Sequence, residues 1–322
     1  MDSLSAILST FRLQVEIIHN AQYCGNWAVD TSGPGHISFH LVTHGHCYAE
    51  SPQLTSPTRL ETGDFIMFPQ RTRHMVSSER DCAIEVNIAQ SLPYEEGLQH
   101  NGVGLLCGYF RFTHAANSPL LDILPPVKIV QGSLAKADSI SANILSLIRQ
   151  EALAQASGYQ TSINRLAESL FVVLAREHME EGGAISGLAA ALSDGRISKA
   201  LDAIHAKPER NWTVEELAGM AHMSRSAFAE RFKSLLGESP ISYLGRWRMQ
   251  NAWLWLREEH ASIYDVARRC GYESEASFSK AFKKYMGESP GKVRKRDEAT
   301  SATSSGSPAS GSKKSATQSK TE

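Results

Sequence analysis

Side chains of types that bind metals lie close together in the first third of the chain. His44, His46 and Glu50 form the pattern H-x-H-x3-E, and His74 follows downstream. Imidazole and carboxylate donors of this kind suit iron, manganese or zinc. However, His44 and His46 flank Gly45, where a turn between two strands is expected, so both imidazoles are expected to face solvent. We therefore expect no metal here, and no residue is assigned to catalysis or to a cofactor.

A second group of side chains, in the last third, has the types that proteins use to read DNA. The group lies on two segments expected to be helices, away from a pair of phenylalanines on each. Its members are Arg225, Ser226, Ala229, Glu230 and Lys233 in the first segment and Ala276, Ser279, Lys280, Lys283 and Lys284 in the second. A helix in the major groove can place short and basic side chains on base edges and phosphates. Double-stranded DNA is therefore the expected partner.

The two segments belong to copies of one sequence unit. Phe228, Phe232, Lys233 and the run Gly237–Pro240 recur fifty residues later as Phe278, Phe282, Lys283 and the run Gly287–Pro290. Each copy is expected to form a helix, a tight turn and a second helix. The turns are expected at His222–Met223 and at Gly271, and one long helix, Ile241–Arg257, is expected to join the copies. The phenylalanines are expected to be core residues.

Capping residues mark where the helices of both copies begin. Thr213, with Glu216 three positions later, predicts a capping box, and Ser224 predicts the start of the next helix. Ser262 and Ser274 take the same places in the second copy. Both copies therefore have the boundaries of helix-turn-helix units.

Charge is divided unequally along the chain. Residues 1–194 contain 11 basic and 19 acidic side chains, whereas residues 195–296 contain 19 basic and 12 acidic ones. The total is nearly balanced, with a formal net charge of −1. A basic excess confined to one region favours a polyanionic partner for that region.

The segment Ile263–Arg294 resembles the signature of the AraC/XylS family of bacterial transcription regulators. It reads I-x-x-V-A-x-x-C-G-Y-x-S-x-x-x-F-x-x-x-F-K-x-x-x-G-x-S-P-x-x-x-R. The resemblance implies a DNA-binding domain over residues 195–296, with helix-turn-helix units at 213–236 and 262–286. His222 departs from the pattern, because many members have glycine at this turn.

The same resemblance implies how the two recognition helices divide their contacts. Residues implied to face bases are Ser226, Ala229, Glu230, Ala276, Ser279 and Lys280. Residues implied to contact phosphates are Lys233, Lys283, Lys284 and Arg246. Two units held at a fixed separation would meet successive major grooves about 34 Å apart.

Residues 1–130 are expected to be mostly β-strand. Ile37–Tyr48 predicts two strands about a turn at Gly45, Leu60–Pro69 predicts a Gly-Asp turn followed by a strand, and Ala83–Ile88 alternates with a period of two. Many short strands separated by turn residues are typical of an antiparallel barrel or sandwich.

This region also resembles the cupin-type sensor domain that accompanies the family. The spacing Gly63-x5-Pro69-x4-His74 fits the second cupin motif. The resemblance implies an antiparallel barrel that binds a small-molecule effector. It also places any cupin metal ligands upstream of Gly45, where Thr31-Ser32-Gly33 offers none.

Residues 131–192 change to a helical period and are expected to form a connector. The apolar positions are Ile140, Ile144, Leu147 and Ile148 on one helix face, and Ile163, Leu166, Leu170, Val173 and Leu174 on a second. Gly182-Gly183 is the expected stop. Such faces pack within the chain or against a second subunit, and we expect a homodimer through this region.

Composition limits the remaining possibilities. The 5 cysteines have no C-x-x-C spacing, which argues against a disulfide framework and a structural zinc site. No signal peptide is recognised, and the longest apolar run, Leu170–Ala175, is far shorter than the ~20 residues that span a bilayer. Residues 297–322 have no large apolar side chain and are expected to be a disordered tail. We expect a bacterial cytoplasmic protein, bound to the nucleoid when on DNA, that does not associate with membranes.

The expected fold class is α+β with two domains: a cupin-like antiparallel β-barrel over 1–130 with the connector over 131–192, and an all-α domain with two helix-turn-helix units. The expected function is a sequence-specific transcription regulator that responds to a small-molecule effector, with RNA polymerase as a further partner, and that is not an enzyme.

Two other functions are consistent with the sequence. One is a metal-dependent cupin enzyme, such as a dioxygenase or isomerase, fused to a DNA-binding domain. The other is a constitutive architectural DNA binder whose barrel only dimerises. Stoichiometric iron, manganese or zinc in the purified protein would favour the enzyme.

Overall fold

A computed structural model describes residues 2–30, 36–70, 72–80, 91–92, 102–112, 124–132, 139–181, 187–259 and 261–295. The chain forms two compact units. The first contains Met1–Ala206 and Trp212–Ile241, and the second contains Lys207–Asn211 and the residues from Ser242 onward. The strand expected at 83–88, the helix stop at 182–183 and the tail at 297–322 lie outside the described residues.

The strands all belong to the first unit, as does the larger set of helices. The strands are β1 (Leu13–Tyr23), β2 (Ala28–Asp30), β3 (Ile37–His44), β4 (His46–Glu50), β5 (Thr58–Glu61), β6 (Phe65–Phe68), β7 (Met75–Ser77), β8 (Ser91–Leu92), β9 (Val103–Phe112) and β10 (Lys128–Val130). The helices are α1 (Ser3–Phe11), α2 (Ile140–Ala154), α3 (Tyr159–Glu180), α4 (Gly187–Ser193), α5 (Ile197–Ala206), α6 (Val214–Met220) and α7 (Arg225–Leu236).

The second unit is helical in its described part. Its helices are α8 (Pro240–Glu258), of which the first two residues belong to the first unit, α9 (Ile263–Arg269) and α10 (Glu275–Met286). No helix in the described ranges is both long enough and apolar enough to cross a membrane.

Two antiparallel sheets make up the β-region, with strand orders β10-β6-β3-β9-β1-β8 and β2-β7-β4-β5. Among the described strands no pairing joins one sheet to the other, so the expected barrel is not closed by hydrogen bonds. The strands of the smaller sheet have only 3 to 5 residues, which leaves little edge for further pairing. The fold class is otherwise as expected, α+β with antiparallel sheets followed by helices.

An apolar core fills the space between the two sheets. The larger sheet contributes Val42, Phe68 and Leu105, and the smaller sheet contributes Cys47 and Val76. Successive side chains of a strand point to opposite faces, so the residues that alternate with these in the larger sheet face the helices.

The connector helices cover that other face of the larger sheet. The ring of Phe110 in β9 lies 4.7 Å from Phe39 in β3 and 5.3 Å from Phe171 in α3, measured between centroids. Helices α2 and α3 also pack on each other. Packing within the chain, one of the two expected outcomes, therefore occurs.

The buried face of α2 differs from the expected one. Its buried residues are Ser141, Leu145, Ile148 and Ala152, whereas Ile140 and Leu147 are 52% and 48% exposed. The sequence interpretation placed Ile140, Ile144, Leu147 and Ile148 on one face and did not include Leu145. The small side chains of Ser141 and Ala152 allow the helix to pack closely along the face that contains Leu145. Within one chain, Ile140 and Leu147 therefore lie outside the packed face of α2.

The first helix of the chain packs against α5. The Asp2 side chain caps α1 by accepting the Ser5 N–H. The Ser3 N–H and hydroxyl both donate to Asp202 Oδ1, at 2.9 and 2.6 Å. Ile7 on the same helix is buried. These contacts join the start of the chain to the helix that precedes the first helix-turn-helix unit.

Candidate nucleic-acid interface

Helices α6 and α7 form the first helix-turn-helix unit, with the caps that the sequence predicts. Thr213 and Glu216 form the capping box of α6, and Ser224 caps α7 by accepting the Ala227 N–H. His222 in the intervening turn has a φ of 52°, the left-handed region that glycine adopts most easily. This is the turn where the sequence has histidine in place of the family's usual glycine.

The candidate DNA-reading residues of α7 share one side of the helix. At about 100° per residue, they cover an arc of about 140°, whose centre is about 110° from the midpoint of the buried Phe228 and Phe232. Arg225, Ser226, Glu230 and Lys233 are exposed and Ala229 is partly buried. The structure therefore brings the five predicted residues of this helix together on one accessible face.

Arg225 forms an ion pair with the other helix of its helix-turn-helix unit. Its Nε lies 2.9 Å from Glu215 Oε1 at the start of α6, with both side chains largely exposed. An exposed ion pair of this kind contributes little to stability, so the guanidinium can exchange this partner for a phosphate at little cost.

Helices α9 and α10 form the second helix-turn-helix unit, whose caps and turn match those of the first. Ser262 and Ser274 cap them, and Gly271 makes the turn with a φ of 74°. A Cβ at Gly271 would overlap the carbonyl oxygen of Glu209, so glycine is required here by space as well as by conformation. The pair of phenylalanines is also repeated. The ring centroids of Phe278 and Phe282 lie 5.6 Å apart, and those of Phe228 and Phe232 lie at the same distance.

The predicted residues of α10 also lie on one side of their helix. Ala276, Lys280, Lys283 and Lys284 are exposed, and Ser279 is partly buried. Lys284 Nζ is 5.6 Å from the ring centroid of Tyr285. At about 100° per residue, Lys284 is at the edge of the group.

Two arginines of α8 differ in their surroundings. Arg246, a predicted phosphate contact, is partly buried with its guanidinium carbon 5.0 Å from the Tyr243 ring centroid. Arg248 was not singled out by sequence, yet its guanidinium donates to the carbonyl oxygens of Pro208 at 2.5 Å and of Arg210 at 2.9 Å. Burial lowers the pKa of Arg248. Arg248 therefore holds the loop 207–211, a role that no local pattern encodes.

The N-terminal half contains a buried polar chain that sequence reasoning also missed. His74 Nδ1 lies 2.8 Å from the Thr72 carbonyl oxygen and must donate to it. The neutral ring then accepts at Nε2, from His40 Nε2 at 3.2 Å. His40 Nδ1 in turn accepts from the Cys107 thiol at 3.0 Å.

Burial keeps all three groups of this chain in their neutral forms. It lowers the pKa of both histidines and raises the pKa of Cys107 to about 12. His44 and His46, by contrast, lie on either side of the turn at Gly45, and His46 is exposed. Within the described ranges, no group of three or more His, Cys, Asp or Glu side chains could hold a metal ion.

A cavity of about 460 Å³ opens at the end of the smaller sheet where β2 and β4 end and β7 begins. Asp30 and Glu50 each lie opposite Met75, on its two neighbouring strands. His74 and Arg73 line the cavity beside Met75, and Pro52, Leu54 and Pro57 form an apolar wall. The cavity thus combines an apolar wall with a few charged groups, as small-molecule sites do.

Comparison with known proteins divides the chain into two families of domain. Residues 2–180 match the family model described as "Cupin", and residues 217–296 match the one described as "Helix-turn-helix domain". A Streptomyces lividans protein, which its name assigns to the AraC-like transcription regulators, is 32% identical over 300 residues, covering 92% of this chain and 98% of its own. The transcriptional regulator MtrA of Neisseria gonorrhoeae is 30% identical, covering 80% and 85%.

The matches among solved structures include a complex with DNA. It is the DNA-binding domain of AdpA, a global transcriptional factor, in complex with a target DNA. It is 31% identical, covers 36% of this chain and 96% of its own, and has a TM-score of 0.30.

Proposed function

The chain belongs to the AraC family of transcription regulators, with an N-terminal cupin domain and a C-terminal helix-turn-helix domain, and from this premise we propose how it reads DNA and how it is controlled. Helices α7 and α10 are the recognition helices. Six side chains face base edges: Ser226, Ala229, Glu230, Ala276, Ser279 and Lys280. Lys233, Lys283 and Lys284 contact phosphates, and Arg225 does so after leaving Glu215.

One observation carries this proposal: the two copies expose equivalent positions on equivalent helices. Positions 226, 229, 230 and 233 of the first copy correspond to 276, 279, 280 and 283 of the second. The side chains differ at three of these pairs, and Lys233 corresponds to Lys283. Different side chains at base-facing positions and the same lysine at the phosphate position fit two helices that read different sequences on a uniform backbone.

The experiment that tests it is binding-site selection followed by titration at several salt concentrations. Full-length protein is incubated with random duplex DNA, and the enriched sequence is compared with scrambled duplexes. We expect one asymmetric site with two half-sites, and an affinity that falls steeply with salt because phosphate contacts release counterions. Absence of enrichment would overturn the proposal.

We further propose that a small-molecule effector binds in the cavity at the end of the smaller sheet. Its apolar wall and its charged groups at Asp30, Glu50 and Arg73 support this placement. His74 joins the cavity to His40 and Cys107 in the core, so occupation of the cavity can affect the sandwich interior. Leu54→Trp, which fills the cavity, is expected to abolish the response to an effector and to leave operator binding unchanged.

The cupin domain is proposed to sense rather than catalyse. The relatives are named as transcription regulators, and the ring nitrogens of His40 and His74 are already engaged in hydrogen bonds. We propose in addition that the protein acts in the bacterial cytoplasm as a homodimer, with RNA polymerase as a partner at its promoters. Metal analysis of the purified protein tests the enzyme alternative.

A further inference from the structure

Arg231 lies on the back of the first recognition helix. It follows Glu230 directly, but at about 100° per residue its side chain is about 170° from the centre of the DNA-reading face of α7. It nevertheless remains 54% exposed. A basic side chain on a recognition helix would ordinarily be assigned to a phosphate, but this one points away from the group that meets DNA.

The partner of Arg231 is Asp194, in the turn between α4 and α5. Arg231 Nε donates to Asp194 Oδ2 at 2.7 Å, and Nη2 contacts the same oxygen. The other oxygen, Oδ1, accepts the N–H groups of Arg196 and Ile197, both at 2.9 Å, at the start of α5. The Asp194 side chain is only 8% exposed. One carboxylate therefore caps α5 and holds α7.

The charge of this carboxylate is well stabilised. Burial alone would raise the pKa of Asp194, but the N–H groups of Ile197 and Arg196 and the Arg231 guanidinium outweigh it and lower the pKa. The Asp194 carboxylate is therefore ionised at neutral pH.

The short helix α4, which directly precedes Asp194, packs against elements on two sides. Helix α4 packs against the connector helix α3 and against α7, and its Leu188, Ala189 and Ala191 are buried. All of these elements lie in one compact unit with the cupin domain. The ion pair therefore lies next to α4, the short helix that contacts both α3 and the recognition helix α7.

The second helix-turn-helix unit has no counterpart to the ion pair between Arg231 and Asp194. Fifty residues after Arg231 the sequence has Ala281, which cannot form an ion pair, and α10 lies in the other compact unit. The difference is therefore specific to the copy that shares a unit with the sensor.

We propose that Arg231 and Asp194 are positioning residues, through which the unit that contains the sensor holds the first recognition helix, and that Arg231 makes no contact with DNA. The proposal rests on the proposed function, since it takes α7 as a DNA-reading helix. The link sets the orientation of α7 at its half-site, whereas α10 reads its half-site without such a link.

The test is a double-mutant cycle in the full-length protein, with Arg231→Gln, Asp194→Asn and the double variant. Asparagine keeps an oxygen that caps α5, so the change removes mainly the charge. We expect each single variant to weaken operator binding by roughly 2- to 30-fold, and the double variant to be no weaker than the weaker single one. Base preference should relax at the α7 half-site and stay unchanged at the α10 half-site.

The salt dependence of binding separates positioning from phosphate contact. Arg231→Gln should leave the slope of log affinity against log salt unchanged. Lys233→Gln, on the DNA-reading face of the same helix, should reduce that slope by about 1. Arg269→Gln, which breaks the exposed pair with Glu259 in the second unit, is the matched control and should not change preference at the α7 half-site.

Two results would overturn the proposal: a slope reduced by Arg231→Gln as much as by Lys233→Gln, or additive effects in the cycle. If Arg231→Gln does not fold, as judged by circular dichroism, Arg231→Lys takes its place, because lysine keeps the charge but not the fork. Failure of the wild-type protein to select any operator would instead refute the proposed function, so the two failures are distinguishable.

Discussion

The hydrogen-bonded series Cys107, His40 and His74 shows how much of a buried polar contact can be predicted from sequence. His40 and Cys107 lie directly opposite each other on β3 and β9, 67 positions apart in the chain. Nothing local to either residue indicates that pairing, because it depends on the register of two distant strands. His74 was recognised through the cupin spacing, but its partners were not.

The two buried histidines, His40 and His74, predict that the protein loses stability at acidic pH. Burial lowers the pKa of His40 and His74 in the folded protein, so the unfolded chain binds protons more readily. Stability is then complete above about pH 6.5 and decreases as pH falls below it. The melting temperature should fall between about pH 7.5 and about pH 5.5, and His74→Gln should reduce this dependence. An equal dependence in the variant would contradict the assignment.

The two lysines of α10 predict different effects on DNA recognition. Lys280→Ala removes a base contact and should relax preference at one or two base pairs, by about 1–3 kcal/mol. Lys284→Ala removes a phosphate contact and should weaken all sequences alike. Competition binding against single-base operator variants measures both. Equal changes of specificity would show that the face of α10 is wrongly assigned.

At the scale of elements, the C-terminal helices were predictable because capping is a local property. Thr213, Ser224, Ser262 and Ser274 each accept the backbone N–H expected of them. Tertiary packing decided the rest: Arg248 reaches carbonyls about forty residues away, and close packing rotates α2 about its axis. Leu170 is fully buried and therefore belongs to the packing within the chain.

The role of α4 in this region can be tested with two fragments. Residues 195–296 contain both helix-turn-helix units and are predicted to bind DNA alone, but they lack Asp194 and α4. Residues 187–296 keep the cap of α5 and the pair with Arg231. We expect the longer fragment to be more stable by about 1–2 kcal/mol, as measured by urea denaturation. Equal stability would mean that α4 adds nothing to this domain.

The whole molecule combines an acidic cupin domain with a basic DNA-binding region. The boundary between its two compact units does not coincide with the boundary between these two regions. The first helix-turn-helix unit shares a compact unit with the cupin sandwich, while α9 and α10 belong to the other. An effector can change DNA binding only through a difference in affinity between two states of the protein. Contacts within the first unit, through α1, α4 and α5, are where such states can differ.

The exposed apolar residues of α2 predict how two chains associate. Ile140 and Leu147 are seven residues apart on one helix face and about half exposed. Ile140→Asp with Leu147→Asp would place unpaired charges in the proposed subunit interface, at a cost of several kcal/mol. The double variant is expected to be a folded monomer in sedimentation experiments. Ser146→Asp, at an exposed position on another side of α2, is the control. A dimer that persists would place the interface elsewhere.

The hydrogen bonds between Ser3 and Asp202 have a consequence for how the chain folds during translation. The two residues are 199 positions apart, so at about 5–20 residues per second the ribosome needs about 10–40 seconds to deliver the partner of α1. Throughout that interval Ile7 and the rest of the apolar side of α1 have no α5 to cover them. The nascent chain therefore carries an uncovered N-terminal helix that chaperones can recognise, and the cupin domain completes its packing only after synthesis has entered the DNA-binding region.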